Sequence, residues 1–226
     1  AGKLVGIGIR ASKSESGFIQ VNEVYPDSPA EDAQIKAGDL IVKVNDIDVT
    51  ADTYESAITE IGGQAGTKLS LTVRSDNKDR EIAEITRRVV VTPTIYSHMI
   101  GTTGYVKITD FNENTYDPFK KALENLVGNQ GAQSLIFDLR NNTGGLVDPA
   151  IKMLDMLLPE GVIATATYRD GSTEVLGNSD ANCIDLPMAV LTNENTASAA
   201  ELFTQALRDY NVAKSVGTNT YGKGVM

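Results

Sequence analysis

The sequence predicts a mixed α+β and α/β chain of two domains, a β-rich domain over residues 1–94 and an α/β domain over residues 95–226. Three observations carry this. In the front half, LVGIGIR, GFIQVNEV and TKLSLTVRS alternate apolar and polar residues as half-buried strands do. From Arg87 to Ile108 the β-branched runs RRVVVTPTIY and GYVKI suggest strands on either side of a junction near Pro93 to Ser97. Beyond it, short apolar strands alternate with amphipathic helices, the rhythm of βαβ units around a largely parallel sheet.

Each element follows from local chemistry. Pro26-Asp27-Ser28-Pro29 is a turn leading into a brief helix, and Gly38 supplies a left-handed turn before the strand LIVKV. Asn45-Asp46 suits another turn. Thr50 or Asp52 is the expected cap of the helix TYESAITEI. Its Tyr54, Ile58 and Ile61 form one apolar face, and Gly62-Gly63 ends it. In the second half NENTYDPFKKALENLV, DPAIKMLDMLL and AAELFTQALRDY read as helices, and SLIFDL, LPMAVLT and VAKSVG as strands.

Composition excludes several functions. Thirty acidic residues against twenty basic ones give a formal charge of −10, which argues against nucleic acid or an anionic membrane as the main partner. Cys183 is the only cysteine, so no internal disulfide forms, and no histidine accompanies it in a nucleophile signature. No apolar run approaches the ~18 residues of a membrane span, and no signal-peptide pattern opens the chain. A Ser-His-Asp site would have to use His98, and there is no Gly-x-Ser-x-Gly elbow. NDIDVTAD lacks the glycine and final glutamate of a calcium loop, so no metal is expected. GTNTYGKG, Gly217 to Gly224, imitates a phosphate loop. However, Gly224 stands where a hydroxyl should bind magnesium, and only Val225 and Met226 follow.

Three features can do chemistry. Ser198 lies where the strand LPMAVLT gives way to a helix, a rigid turn with helical amides aimed at whatever the serine attacks. Ser198-Ala-Ala-Glu201 is equally a capping box, and both roles stay open. A serine nucleophile needs a base. Lys223 lies 25 residues on, across a helix and a strand that can return it to the same sheet edge. A lysine accepting a proton must be largely neutral, which burial favours, and Gly222 and Gly224 permit close packing. DLRNNTGG, Asp138 to Gly145, is either an ordinary glycine turn at a strand end or a loop whose Gly144 or Gly145 brings amides to an oxyanion.

In that order and separation, DLRNNTGG, NENTASAAE and GTNTYGKG resemble the C-terminal processing peptidases, or tail-specific proteases. The front half resembles that family's PDZ domain in GIGIR, VYPDSPAEDAQIKAGDLIVKVND and GTKLSLTVRS. The resemblance implies a PDZ-like domain followed by a crotonase/ClpP-like α/β protease domain. It implies Ser198 as nucleophile, Lys223 as general base, and an oxyanion hole from the amide of Ala199 with that of Gly144, favoured over Gly145. A substrate's C-terminal carboxylate would sit among the amides of Gly6, Ile7 and Gly8. Its tail would pair with the strand around Ile7 to Arg10, Ile9 among them, opposite the helix Tyr54–Ile61.

No cofactor is implied. The implied partners are unfolded or tail-exposed proteins, with a homo-oligomer as one option. The implied location is extracytoplasmic, periplasmic or at the cell surface, with a membrane anchor ahead of Ala1. In that family a glutamine follows the lysine by four residues, which here is position 227, and further strands come after it. A helical segment usually precedes, so a chain cut at both ends, with an incomplete protease domain, is expected. The alternatives are a non-catalytic PDZ-containing binding protein of the same fold, or an inactive fragment.

Overall fold

The computed structural model describes residues 3–224. Ala1 and Gly2 lie outside the described residues, as do Val225 and Met226, which entered the reading of the C-terminal glycine motif. Contacts divide the chain between Thr92 and Pro93.

The first unit contains β1 (Lys3–Gly6), β2 (Ile9–Lys13), β3 (Ile19–Val24), α1 (Pro29–Asp32), β4 (Leu40–Val44), β5 (Ile47–Asp48), α2 (Tyr54–Ile61), β6 (Lys68–Ser75), β7 (Lys78–Thr86) and β8 (Arg88–Val91). LVGIGIR, read as one strand, is broken at Ile7-Gly8 into β1, which pairs with β8, and β2, which opens a separate sheet. That sheet runs β2-β3-β4-β6-β7, with β5 on β4. Its buried face, Ile19, Val21, Ile41, Val44, Leu71 and Val73, packs with Ala57 and Ile61 of α2. The cap of α2 is Thr53 rather than Thr50 or Asp52, and the Thr53 hydroxyl accepts the Thr50 amide at 2.8 Å. At the other end the buried Arg87 guanidinium donates to the carbonyls of Glu60 (2.6 Å) and Ile61 (3.2 Å).

The second unit contains β9 (Ile95–Ile100), β10 (Thr103–Ile108), α3 (Tyr116–Leu123, running into a π-helical turn over Glu124–Asn129), β11 (Ser134–Asp138), α4 (Val147–Asp155), β12 (Gly161–Thr167), β13 (Thr173–Ser179), β14 (Met188–Thr192), α5 (Ala199–Asp209) and β15 (Ala213–Gly217). Its sheet runs β15-β14-β11-β10-β9. The pairs β10·β11, β11·β14 and β14·β15 are parallel, and β9 is antiparallel to β10. Parallel strands end at one edge, so the loops after β10, β11, β14 and β15 all emerge there. β12 and β13 form a hairpin of their own.

Under that edge lie four buried phenylalanines. Phe203 of α5 meets Phe111 and Phe137 at 5.8 Å and Phe119 at 6.4 Å between ring centroids. The seat of α5, and with it the position of Ser198, depends on this cluster. Phe203→Ala is expected to destabilise the second unit by about 3–5 kcal/mol, read as a lowered urea midpoint with an unchanged slope.

Candidate active site

The loop after β11 is built around Asn142, which is fully buried. Its side-chain amide donates to the Ile108 carbonyl (2.9 Å) and accepts the Gly144 N–H (2.8 Å). Its carbonyl accepts the Ala197 N–H (3.0 Å) and its own N–H reaches the Leu139 carbonyl (3.1 Å). One residue thus joins the ends of β10, β11 and the turn before α5. Asn141 and Asn193 tie the same loops further out, through Asn141 N–H to Asn193 Oδ1 (2.9 Å) and Asn193 Nδ2 to Asn141 Oδ1 (2.8 Å).

Gly144 and Gly145 follow with φ of 102° and 131°. A Cβ on Gly144 would lie 2.8 Å from the Cβ of Ser198, and one on Gly145 would lie 2.1 Å from the Phe111 carbonyl oxygen. Only glycine fits either place. The Gly144 N–H, expected at the oxyanion, is instead committed to Asn142 Oδ1. Phe111 N–H binds the Gly144 carbonyl and Leu146 N–H the Phe111 carbonyl, so alternation turns the Gly145 N–H away from Phe111. That N–H has no acceptor among the described residues.

Ser198 holds φ 57° and ψ −123°, a conformation costing an L-residue about 1–3 kcal/mol. Serine and glutamate stand where a capping box would put them. Glu201 Oε2 accepts the Ser198 N–H at 2.8 Å, while the Glu201 N–H goes to the Ser198 carbonyl at 2.8 Å. The Ala199 N–H, first of the helix, has no acceptor among the described residues and lies at the positive end of the helix dipole.

Lys223 follows β15 in a loop whose Tyr221 N–H donates to the Thr196 carbonyl (2.9 Å). Its neighbour Gly222 donates to Glu201 Oε1 (2.6 Å), and the Lys223 N–H donates to Glu201 Oε2 (2.9 Å). The Ser198 and Lys223 amide nitrogens, 2.8 and 2.9 Å from the same oxygen, are therefore at most about 5.7 Å apart. That is within reach of a four-carbon side chain. Burial pushes the Glu201 carboxyl up. Hydrogen bonds from Thr220 and the amides of Gly222, Ser198 and Lys223 outweigh it and hold the group below the usual glutamate range. The expected burial of Lys223 is not met: the residue is exposed.

A cavity of about 1080 Å³ collects Ser198, Ala199, Glu201 and Lys223, with Thr165 to Arg169 of the β12–β13 hairpin and Arg208 of α5 also lining it. Gly144 and Gly145 touch Ser198 and Phe111 without lining it. His98 stacks on Tyr105 at 4.9 Å in the middle of β9, away from these loops. Gly6, Ile7, Gly8 and Ile9 belong to the first unit. There the carbonyls of Ile7 and Gly8 accept the amides of Ala30 (2.8 Å) and Tyr25 (2.9 Å), while their own amides have no acceptor among the described residues. Ile9 opens β2, an edge strand, and Lys13 at its far end reaches the Ala51 carbonyl (2.7 Å) beside α2.

Sequence reasoning missed Asn142 and the group around Asp138. The buried Asp138 carboxylate pairs with Arg140 (2.6 Å) and accepts the Tyr105 hydroxyl, fixing the root of the loop. Burial pushes this carboxyl up, but the bonds from Arg140 and Tyr105 prevail and hold it down at about 2. The DLR and Asn-Asn portions of DLRNNTGG were the available signals.

The model of peptidase family S41 matches residues 102–226, and that of the PDZ domain matches residues 20–75. CtpA-like serine proteases of Staphylococcus epidermidis and Staphylococcus aureus are 32% identical over 229 residues, spanning 100% of this chain and 46% of theirs. The chain thus spans about half the length of the curated relatives it matches. Among solved structures, the photosystem II D1 C-terminal processing protease superposes with a TM-score of 0.56 at 27% identity, covering 100% of this chain and 63% of that one. A Bacteroides fragilis protein titled as an S41 protease gives a TM-score of 0.61 at 21% identity, covering 98% and 66%, a likeness of fold.

A carboxyl held low stabilises the fold above the ordinary carboxylate range, and that stabilisation is lost as pH falls through the folded value. The second unit is therefore expected to lose on the order of 2 kcal/mol between about pH 4 and pH 2 through Asp138. Denaturation midpoints across that window should show a smaller acid loss in Asp138→Asn than in the parent.

Proposed function

The chain belongs to peptidase family S41 and carries a PDZ domain, and from that premise we propose that the protein is a serine endopeptidase with a Ser198–Lys223 dyad. On this proposal residues 1–94 take hold of a protein's free C-terminus, and residues 95–226 hydrolyse its peptide bonds. The observation that carries it is the shared oxygen of Glu201, on which the amides of Ser198 and Lys223 both rest.

The chemistry follows from the parts. Ser198 Oγ attacks the peptide carbonyl carbon while the neutral Lys223 amine takes its proton. The carbonyl oxygen becomes an oxyanion held by the Ala199 N–H at the start of α5 and by the Gly145 N–H, preferred to Gly144 because that amide already serves Asn142. Collapse breaks the C–N bond, and Lys223 returns the proton to the departing amine. The acyl-ester left on Ser198 is cleaved by a water whose proton again passes to Lys223, releasing the carboxylic product and restoring the hydroxyl. No metal or cofactor enters these steps.

Tail capture follows from the first unit. The unengaged amides of Ile7 and Gly8 can receive a carboxylate, and the open edge of β2 can add a strand. An extracytoplasmic setting and a homo-oligomer are part of the same proposal and rest on the family resemblance alone.

In the protein carrying this sequence, Ser198→Ala and Lys223→Ala should each lower kcat on an unfolded substrate with an apolar tail by at least 10³-fold. Both should leave tail affinity unchanged in a fluorescence titration. Cleavage at the parental rate in either variant would sink the dyad. A tail peptide should also bind at least tenfold more tightly than its C-terminally amidated form, and equal affinities would remove the tail-capture claim.

A further inference from the structure

Glu201 occupies the third position of α5, where a carboxylate ordinarily serves the helix. Here it makes the capping-box bond to the Ser198 N–H, the amide just before the helix, and none to the amides within the first turn. The Ala200 N–H goes to the Ala197 carbonyl (3.2 Å) and the Glu201 N–H to the Ser198 carbonyl (2.8 Å). The two carboxylate oxygens instead receive Ser198 N–H, Gly222 N–H and Lys223 N–H. Three amide donors thus converge on its two oxygens. They come from two segments that the sequence separates by a helix and a strand.

Among the described residues the lysine loop has few other anchors. Tyr221, Gly222, Lys223 and Gly224 are all exposed, Tyr221 to 71%. Among the described residues their other anchor is the bond from Tyr221 N–H to the Thr196 carbonyl. No described side chain from Tyr221 to Gly224 is buried, so packing of these residues does not set the position of their backbone. A charged acceptor with two oxygens does. Glutamine has the same shape, but one oxygen becomes a nitrogen whose hydrogens would face an amide hydrogen, leaving at least one donor without a partner.

We propose that Glu201 is a positioning residue, whose carboxylate holds the lysine loop in register with the nucleophile turn. This rests on the reading of Ser198 and Lys223 as the reacting pair, although the tether itself can be measured without any reaction. Displacing a base by about an ångström costs on the order of 10²-fold in rate without altering how substrate is held. The signature therefore differs from that of a helix cap.

The test compares Glu201→Gln and Glu201→Asp with the parent in the protein carrying this sequence. Amide hydrogen exchange is followed at Gly222 and Lys223 and, as an internal reference, at Phe203 and Leu207 within α5. In Glu201→Gln the two loop amides should exchange about 10- to 100-fold faster while the α5 amides are unchanged, and kcat should fall about 100-fold at unchanged KM. Glu201→Asp keeps the charge with a shorter reach and should fall between the two. Unchanged exchange at Gly222 and Lys223 in both variants overturns the proposal, as does loosened exchange with parental kcat. Faster exchange across α5 as well marks a helix cap and also overturns it. Should Ser198→Ala retain hydrolysis, the Ser-Lys reading fails while the exchange data still decide whether the tether exists.

Discussion

The buried amide of Asn142 is the constraint on which the second unit's architecture turns. Irregular backbone at the end of a parallel sheet leaves peptide groups that no neighbouring strand can satisfy, and here Asn142 is fully buried among them. Asn142 answers with four bonds at once, to Ile108, Gly144, Ala197 and Leu139. Leaving one such group unpaired costs about 1–3 kcal/mol, so the three loop ends are held together or not at all. The glycines at 144 and 145 follow from that closeness, because the neighbouring backbones and Ser198 come too near for a side chain.

Beneath the loops the same logic works with apolar groups. The parallel strands bring segments far apart in sequence to one edge, and the Phe111, Phe119, Phe137 and Phe203 rings fix the height and tilt of α5 below it. Polar bonds set the relative positions of the loops, and packing sets the platform. Ser198, at the N-terminus of α5, inherits its place from both.

Much of this was legible in the sequence, and the misses have physical reasons. Strong periodicity marked α5, β11 and β14, whose buried faces are nearly all apolar. β7 was overlooked because KDREIAEIT is charged and mostly exposed, although Asp76-Asn77, both at positive φ, is a fitting hairpin turn. The hairpin of β12 and β13 hid in the same way behind weak alternation, with Asp170-Gly171 between its strands. At the site, motif spacing brought out Ser198 and Lys223. The preference between Gly144 and Gly145, the role of Asn142 and the reach of Glu201 to residues 222 and 223 depend on hydrogen bonds between distant segments. No local pattern encodes these.

The conformation of Ser198 has a consequence for the history of such a chain. At φ 57° and ψ −123° any L-residue is uphill of glycine. Retention of a stable fold and retention of a hydroxyl therefore pull in opposite directions at this one position. In a lineage relieved of the need for that hydroxyl, a change here to glycine would be rewarded by the fold itself, so the serine persists only while something other than stability maintains it.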